Sequence, residues 1–171
     1  EGFGGYLERV EQARISLNVA LLMGHGTLRT GVMENAQRPP SAAELDQMRS
    51  WVAEGVAAGA VGLSTGLIYE PGRYAQTDEI VAIARVLGGP TGGLYATHMR
   101  NEGDQLLEAI EEALEIGRQA NTSVHIFHLK TAGQQNWPKM ESAIATIKAA
   151  RARGQQVTAD IYPYINNGLG I

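Results

Sequence analysis

The feature that most constrains the fold is a regular alternation of short apolar segments with longer helical ones. Equivalent points in four strand-like segments, Leu63, Ala96, Ile126 and Ala159, recur about 30–33 residues apart,. This interval is the length of a strand, a loop, a helix and a return loop, which is the repeating unit of a parallel sheet. Five strands are predicted, at residues 18–23, 60–64, 93–97, 123–127 and 156–161.

Helix signals lie between these strands. Ser41 and Glu44 have the spacing of a capping box, and Thr77 is placed to cap the next helix,. Further helices are predicted before the first strand, from about Asp104 and from Pro138,. The order is therefore strictly alternating and the fold class is α/β. Because five strands are too few to close a barrel of eight, the chain is either an open doubly wound sheet or a partial (β/α)8 TIM barrel.

Composition excludes several classes of protein. With 171 residues, 44% of them hydrophobic and 19% charged, the chain is typical of one globular domain,. A net charge of −4 and the lack of an apolar run of about 18 residues argue against nucleic acid and membranes as partners,. The absence of cysteine excludes thiolate ligands within the segment,. We expect residues 1–171 to be one segment of a longer chain, with the cytoplasm as the default location.

Two predicted strands end in a histidine surrounded by polar residues, His98 and His128. In parallel α/β proteins the C-terminal ends of the strands form the active site. Side-chain alternation groups His128 with Ile126 and Lys130, so the two imidazoles are expected to emerge side by side from neighbouring strands,. Zinc binds neutral imidazole, and a catalytic zinc needs about three protein ligands. The pair therefore predicts half of a metal centre, with hydrogen bonding in the core as the alternative.

Other polar residues near the strand ends have more than one interpretation. Lys130 is placed to bind a substrate carboxylate or a developing oxyanion, although a solvated loop lysine is the commoner case,. Tyr162, at the end of the last strand, is predicted to line the pocket. His125 is predicted to point towards the helix layer in a structural role, and His25 to bond across a loop. We also expect a local ion pair between Arg100 and Glu102, two residues apart.

Five motifs, taken in order, resemble the N-acyl-D-amino-acid deacylase (D-aminoacylase) family of the amidohydrolase superfamily. They are Gly-His25-Gly-Thr-Leu-Arg29, residues 62–72, residues 95–102, His128-Leu-Lys130 and Asp160-Ile-Tyr-Pro-Tyr164. The resemblance implies a zinc-bearing (β/α)8 barrel with a small β domain, in which this segment is similar to strands three to seven. It also implies zinc ligands at His98 and His128, and contacts of Lys130 and Tyr162 with the substrate or its tetrahedral intermediate.

The reaction implied by the resemblance is hydrolysis of an N-acyl-D-amino acid by zinc-activated water. The family's His-x-His pair, its cysteine ligand and its catalytic aspartate have no counterpart in these 171 residues. The segment therefore has an incomplete set of zinc ligands, and we expect it to be inactive alone.

Two further interpretations come from different classes. In the first, the chain is a non-catalytic half-barrel, a binding or assembly module that forms homo-oligomers through its open sheet edges. In the second, it is a metal-free enzyme in which Lys130 forms a Schiff base with a carbonyl substrate,.

Overall fold

The computed structural model describes residues 2–88 and 92–166, which form a parallel sheet flanked by helices. The strands are β1 (Leu22–Gly24), β2 (Gly62–Gly66), β3 (Leu94–His98), β4 (Ser123–Ile126) and β5 (Val157–Ala159). The α-helices are α1 (Gly2–Gln12), α2 (His25–Met33), α3 (Ala42–Ala57), α4 (Thr77–Ala84), α5 (Leu106–Ala120) and α6 (Lys139–Ala152). The predicted alternation of helices and strands is confirmed except between β1 and β2, where two helices, α2 and α3, follow each other.

The strand order separates the two architectures that the sequence left open. The sheet has the order β1-β2-β3-β4-β5, and every neighbouring pair is parallel. A doubly wound sheet reverses its strand order at a switch point, whereas a (β/α)8 barrel adds each strand beside the previous one. The partial barrel is therefore confirmed, and the doubly wound alternative is wrong.

The two faces of the sheet have different surroundings. Register places Leu63, Tyr95, Val124 and Val157 in one row, and all four are buried. Val124 lies so close to Gly117 of α5 that a Cβ at this glycine would collide with it, so this row faces the helices. The row with His125 and Thr158 faces the other way and is less buried. The face opposite the helices therefore carries the polar side chains of His125 and Thr158.

Helix α5 contributes most to the packing of the helix layer. Its apolar stripe is buried between α4 and α6, and the stripe consists of Leu106, Ala109, Ile110, Ala113, Leu114, Ile116 and Ala120. Burial of one isoleucine stabilises a fold by roughly 1.5–3 kcal/mol, so this stripe anchors the helix firmly. The helix ends at Asn121, whose left-handed backbone (φ 55°) donates its N–H to Gly117 O,.

The helix N-terminal caps predicted from the sequence are only partly confirmed. The capping box of Ser41 and Glu44 is present in both directions, as predicted. Thr77 is the first residue of α4 and not its cap, because its hydroxyl donates to Glu112 of α5. Among residues 2–88 and 92–166, none of the helices has the length and apolar content to span a bilayer.

Candidate metal centre

His98 and His128 meet at the C-terminal rim of the sheet. His98 is the last residue of β3, and His128 follows the end of β4 by two residues. Their Nδ1 and Nε2 atoms, respectively, are 2.8 Å apart, and the ring centroids are separated by 4.4 Å. The two imidazoles therefore direct one nitrogen each towards a common point, as the sequence predicted.

The path of the chain to His128 differs from the prediction. Register pairs Thr97 with Ile126, so strict alternation would place His128 on the helix face. Instead β4 ends at Ile126, and His128 adopts a left-handed backbone with φ 42°. Such a conformation costs a non-glycine residue of order 1–3 kcal/mol, and here the backbone N–H of His128 donates to the carboxylate of Asp160,. The face predicted for His128 from side-chain alternation was therefore wrong. The left-handed turn at His128 brings its ring next to His98.

His125 does not face the helix layer, which corrects the prediction. It pairs in register with Ala96, and therefore shares the face of His98 rather than that of Val124. Its Nδ1 lies 2.8 Å from Thr158 Oγ1 and its Nε2 lies 3.1 Å from an oxygen of Asp160. His125 thus supports the carboxylate that holds the backbone of His128.

Glu102 is a functional residue that the sequence reasoning missed. Its Oε1 lies 2.6 Å from Lys130 Nζ, 3.0 Å from His128 Nδ1 and 3.8 Å from His98 Nε2. The expected pair between Glu102 and Arg100 is wrong, because Arg100 pairs with Glu112 at 2.8 Å and 2.9 Å. The available signal was the position of Glu102 four residues after His98, within the same strand-end loop. We call His98, Glu102, His128 and Lys130 the rim cluster.

Arg100 also fixes a neighbouring loop. It donates to the carbonyl oxygens of Arg73 at 3.2 Å and Ala75 at 3.0 Å, in the segment between β2 and α4. That segment carries Tyr69, whose ring centroid lies 4.8 Å from that of His98. Tyr69 therefore forms one wall beside the imidazole pair, a position that the sequence did not reveal.

Lys130 and Tyr162 lie on the other side of His128. The Nζ atom of Lys130 is 5.5 Å from the ring centroid of Tyr162, and the rings of Tyr162 and His128 are 6.2 Å apart. The structure thus brings together the four residues singled out from the sequence: His98, His128, Lys130 and Tyr162.

Local electrostatics favours the neutral, metal-binding form of His98. Burial lowers the pKa of His98; the carboxylate of Glu102 opposes this shift, and the positive charge of Lys130 adds to it. A lowered pKa keeps the ring neutral near pH 7, which is the form that binds a metal. The pKa of Asp160 is also lowered, because its carboxylate accepts the amide of His128 and a hydrogen bond from His125.

The donor set fits zinc. His98, Glu102 and His128 offer ligand atoms that lie within 4.8 Å of one another, and imidazole nitrogen is a preferred zinc ligand,. The Nε2 of His98 is buried without a hydrogen-bond partner among the described residues. On the Glu102 side, the ammonium of Lys130 already occupies the position of a cation. His98 Nδ1 and His128 Nε2 are therefore the atoms best placed to hold an ion.

A second polar group lies after β1, and we call it the buried cluster. His25 Nε2 is 3.0 Å from Glu79 Oε1, and Arg29 Nη1 is 2.7 Å and 2.6 Å from the two carboxylate oxygens. Arg29 also donates to two backbone carbonyls, of Ala36 and Arg38. His25 was expected to bond across a loop. It has the structural role predicted, but it binds α4 instead, and it is completely buried.

Comparison with known proteins identifies the chain's relatives. No protein-family model matches the sequence. The D-aminoacylase of Alcaligenes xylosoxydans xylosoxydans is 41% identical over 165 residues, which are 96% of this chain and 34% of that protein. The crystal structure of a D-aminoacylase, described as defining a novel subset of amidohydrolases, has a TM-score of 0.91 at 41% identity over 96% of this chain and 34% of its own.

A third relative was solved with a ligand. The N-acyl-D-glutamate deacylase of Bordetella bronchiseptica, complexed with zinc and a phosphonate that mimics the tetrahedral intermediate, has a TM-score of 0.91 at 39% identity. The match covers 95% of this chain and 34% of that one. This chain thus spans about a third of the length of the curated relatives it matches.

The parallel strand order matches part of a solved amidohydrolase structure. Within that class, the chain is similar to N-acyl-D-amino-acid deacylases along about a third of their length, and the resemblance drawn from the five motifs is confirmed.

Proposed function

We propose that residues 1–171 are the central part of a zinc-dependent hydrolase that removes the acyl group from N-acyl-D-amino acids. The observation that carries this proposal is the pair of imidazole nitrogens 2.8 Å apart at the rim, with Lys130 and Tyr162 beside them. It is supported by relatives about 40% identical that are D-amino-acid deacylases, one of them solved with zinc.

Each residue of the rim has a distinct part in this proposal. His98 and His128 would hold the zinc ion, which supplies Lewis-acid polarisation of the acyl carbonyl and activation of water. Lys130 carries three N–H donors and directs two of them to Glu102 and to the backbone oxygen of His128, so one remains to bind the substrate carboxylate or the charge that develops on the acyl oxygen,. Tyr69, beside His98, and Tyr162, beside His128, would orient the substrate.

The remaining parts of the machinery would come from the rest of the longer protein. A catalytic zinc site needs about three protein ligands and a group that transfers protons, whereas this segment offers two imidazoles. We therefore expect the isolated segment to bind zinc weakly and to be inactive. Its cytoplasmic location stays a prediction, which cell fractionation would check.

The two other interpretations are less well supported. A Schiff-base lysine attacks as a free amine, whereas Lys130 is paired with a buried carboxylate at 2.6 Å,. Association through the open edges of β1 and β5 remains a prediction, since each of these strands has one neighbour among the described residues,. Sedimentation velocity of the isolated segment over a range of concentrations would measure it.

The function is tested on the full-length protein. We expect stoichiometric zinc after dialysis and hydrolysis of N-acetyl-D-amino acids in strong preference to the L enantiomers. His98→Ala and His128→Ala should each lose zinc and activity with little change in thermal stability. Glu111→Gln is the control, because this exposed residue of α5 lies outside the rim cluster. Zinc retained at full stoichiometry by His98→Ala would show the ligand assignment to be wrong.

A further inference from the structure

The carboxylate of Glu102 contacts the rim cluster through a single oxygen. Its Oε1 is 2.6 Å from Lys130 Nζ and 3.0 Å from His128 Nδ1. The side chain is only 8% exposed, so solvent compensates little of its charge and the contacts within the cluster must do so,. Glu102 therefore has a defined geometry relative to both His128 and Lys130.

The two ring nitrogens of His128 face different partners. Nε2 faces His98 Nδ1 at 2.8 Å, and Nδ1 faces both Glu102 Oε1 and Lys130 Nζ at 3.0 Å. A neutral imidazole carries one proton, so two hydrogen-bond networks compete. With the proton on Nδ1, the ring donates to Glu102 and the lone pair of Nε2 is free for a metal. With the proton on Nε2, Lys130 donates to Nδ1 and no lone pair remains on Nε2.

We propose that Glu102 is a positioning residue that selects the Nδ1–H tautomer of His128 and anchors Lys130 next to it. A carboxylate can only accept, so in the other tautomer its oxygen would face the lone pair of Nδ1 at 3.0 Å,. Lys130 then donates to the same carboxylate oxygen and to the backbone oxygen of His128 at 3.3 Å. The inference rests on the proposed zinc role of His128.

Glu102 is also close enough to both imidazoles to be considered a metal ligand itself. Its near oxygen, however, already accepts a hydrogen bond from the ammonium of Lys130, which a metal on that side would have to displace. The nitrogens that face each other, His98 Nδ1 and His128 Nε2, lie on the other side of the His128 ring from Glu102. Glu102 therefore contacts the ring nitrogen of His128 that does not bind the metal.

The test compares Glu102→Gln with wild type in the full-length protein, with Glu111→Gln as the matched control, an exposed glutamate on α5. Glutamine keeps the shape of the side chain, but its amide can donate to Nδ1 as readily as its oxygen can accept. We expect zinc still to bind at the wild-type stoichiometry, with a dissociation constant raised about 10–100-fold. The absorption spectrum of the cobalt-substituted variant should keep its wild-type form. The KM for the N-acyl-D-amino acid should rise as Lys130 loses its anchor.

A second readout needs no metal. Nitrogen-15 NMR of the imidazoles in the metal-free protein should find His128 protonated on Nδ1 in wild type. In Glu102→Gln the Nε2–H form should become populated, whereas Glu111→Gln should match wild type. Loss of zinc together with a changed cobalt spectrum would make Glu102 a ligand and overturn the proposal, as would an unchanged tautomer. If wild type binds no zinc, the proposed function fails, while the tautomer still decides the role of Glu102.

Discussion

The buried cluster and the rim cluster contain the same kinds of group in different surroundings. Each has a histidine near the end of a strand, a glutamate and a basic side chain: His25, Glu79 and Arg29 after β1, and His128, Glu102 and Lys130 near β4. The side chains of the first set are at most 3% exposed and bond to one another and to two backbone carbonyls, although His25 Nδ1 and Arg29 Nε have no hydrogen-bond partner among the described residues. In the second set, His128 is 26% exposed and turns Nε2 towards another imidazole. Identical chemistry thus supports the fold in one place and forms a candidate site in the other.

The largest effect is expected from breaking the buried cluster. Glu79→Ala leaves the guanidinium of Arg29 buried without its counter-charge, which typically costs about 3–5 kcal/mol of unfolding free energy,. Urea unfolding of the full-length protein measures the loss. Glu102→Ala should cost clearly less, because Lys130 is 21% exposed and reaches water. Equal losses of unfolding free energy for the two variants would contradict the view that the buried cluster stabilises the fold and the rim cluster forms a site.

The next largest effect is expected at the rim cluster, and it concerns catalysis rather than stability. Lys130→Ala should lower kcat/KM by roughly 2–4 kcal/mol of transition-state stabilisation, the scale of one lost oxyanion donor. Zinc content should be unchanged, because Lys130 is not a proposed ligand. Steady-state kinetics with elemental analysis tests both statements. Wild-type activity in this variant would remove Lys130 from the site, and a borohydride-trapped adduct in wild type would favour the Schiff base.

Acid should weaken the buried cluster. Burial acts to raise the pKa of Glu79, but hydrogen bonds from His25 and Arg29 outweigh it and hold the pKa below its ordinary value. The folded state therefore binds fewer protons than the unfolded state in this range. The stabilisation is fully present above the unfolded pKa of about 4.3 and is lost as the pH falls through the lower folded value. Unfolding curves from pH 6 to pH 3 should show a larger loss of unfolding free energy in wild type than in Glu79→Gln, because other carboxylates with lowered pKa values titrate in both.

The smallest effect is expected from an exposed pair with the same groups as Arg29 and Glu79. Arg38 donates to both oxygens of Glu44 at 2.7 Å, on the protein surface, and lowers the pKa of Glu44 to about 2. Exposed ion pairs are screened by water and contribute little. Arg38→Gln, which leaves the capping box intact, should not change the urea midpoint measurably. A shift of the urea midpoint as large as that of Glu79→Ala would mean that burial does not determine how much an ion pair contributes to stability.

The fold was largely predictable because each βα unit carries its own signals. The apolar strands and the helix between Leu106 and Ala120 follow from local patterns, and parallel strands place their polar ends at one rim,. The rim placement of His98 needed nothing more than this reasoning.

Details of the site were not predictable for a physical reason. Side-chain alternation holds only while the strand continues, and β4 ends before His128, whose left-handed backbone turns its ring. The face of His125 depends on the register between β3 and β4, which tertiary packing decides. The partner of Glu102 could not be read either, because Lys130 lies 28 residues away along the chain.

The short separations within the rim cluster have a consequence for folding kinetics. Its long-range contacts join His98 to His128 and Glu102 to both His128 and Lys130, and none of them spans more than 30 residues of the chain from β3 through α5 to the residues that follow β4. Contacts of such modest separation need only one loop to close, and the entropy of closure grows slowly with loop length. These contacts can therefore form within one supersecondary unit, and Asp160, directly after β5, then holds the backbone of His128. The segments that complete the barrel would then dock onto an imidazole pair that is already in place.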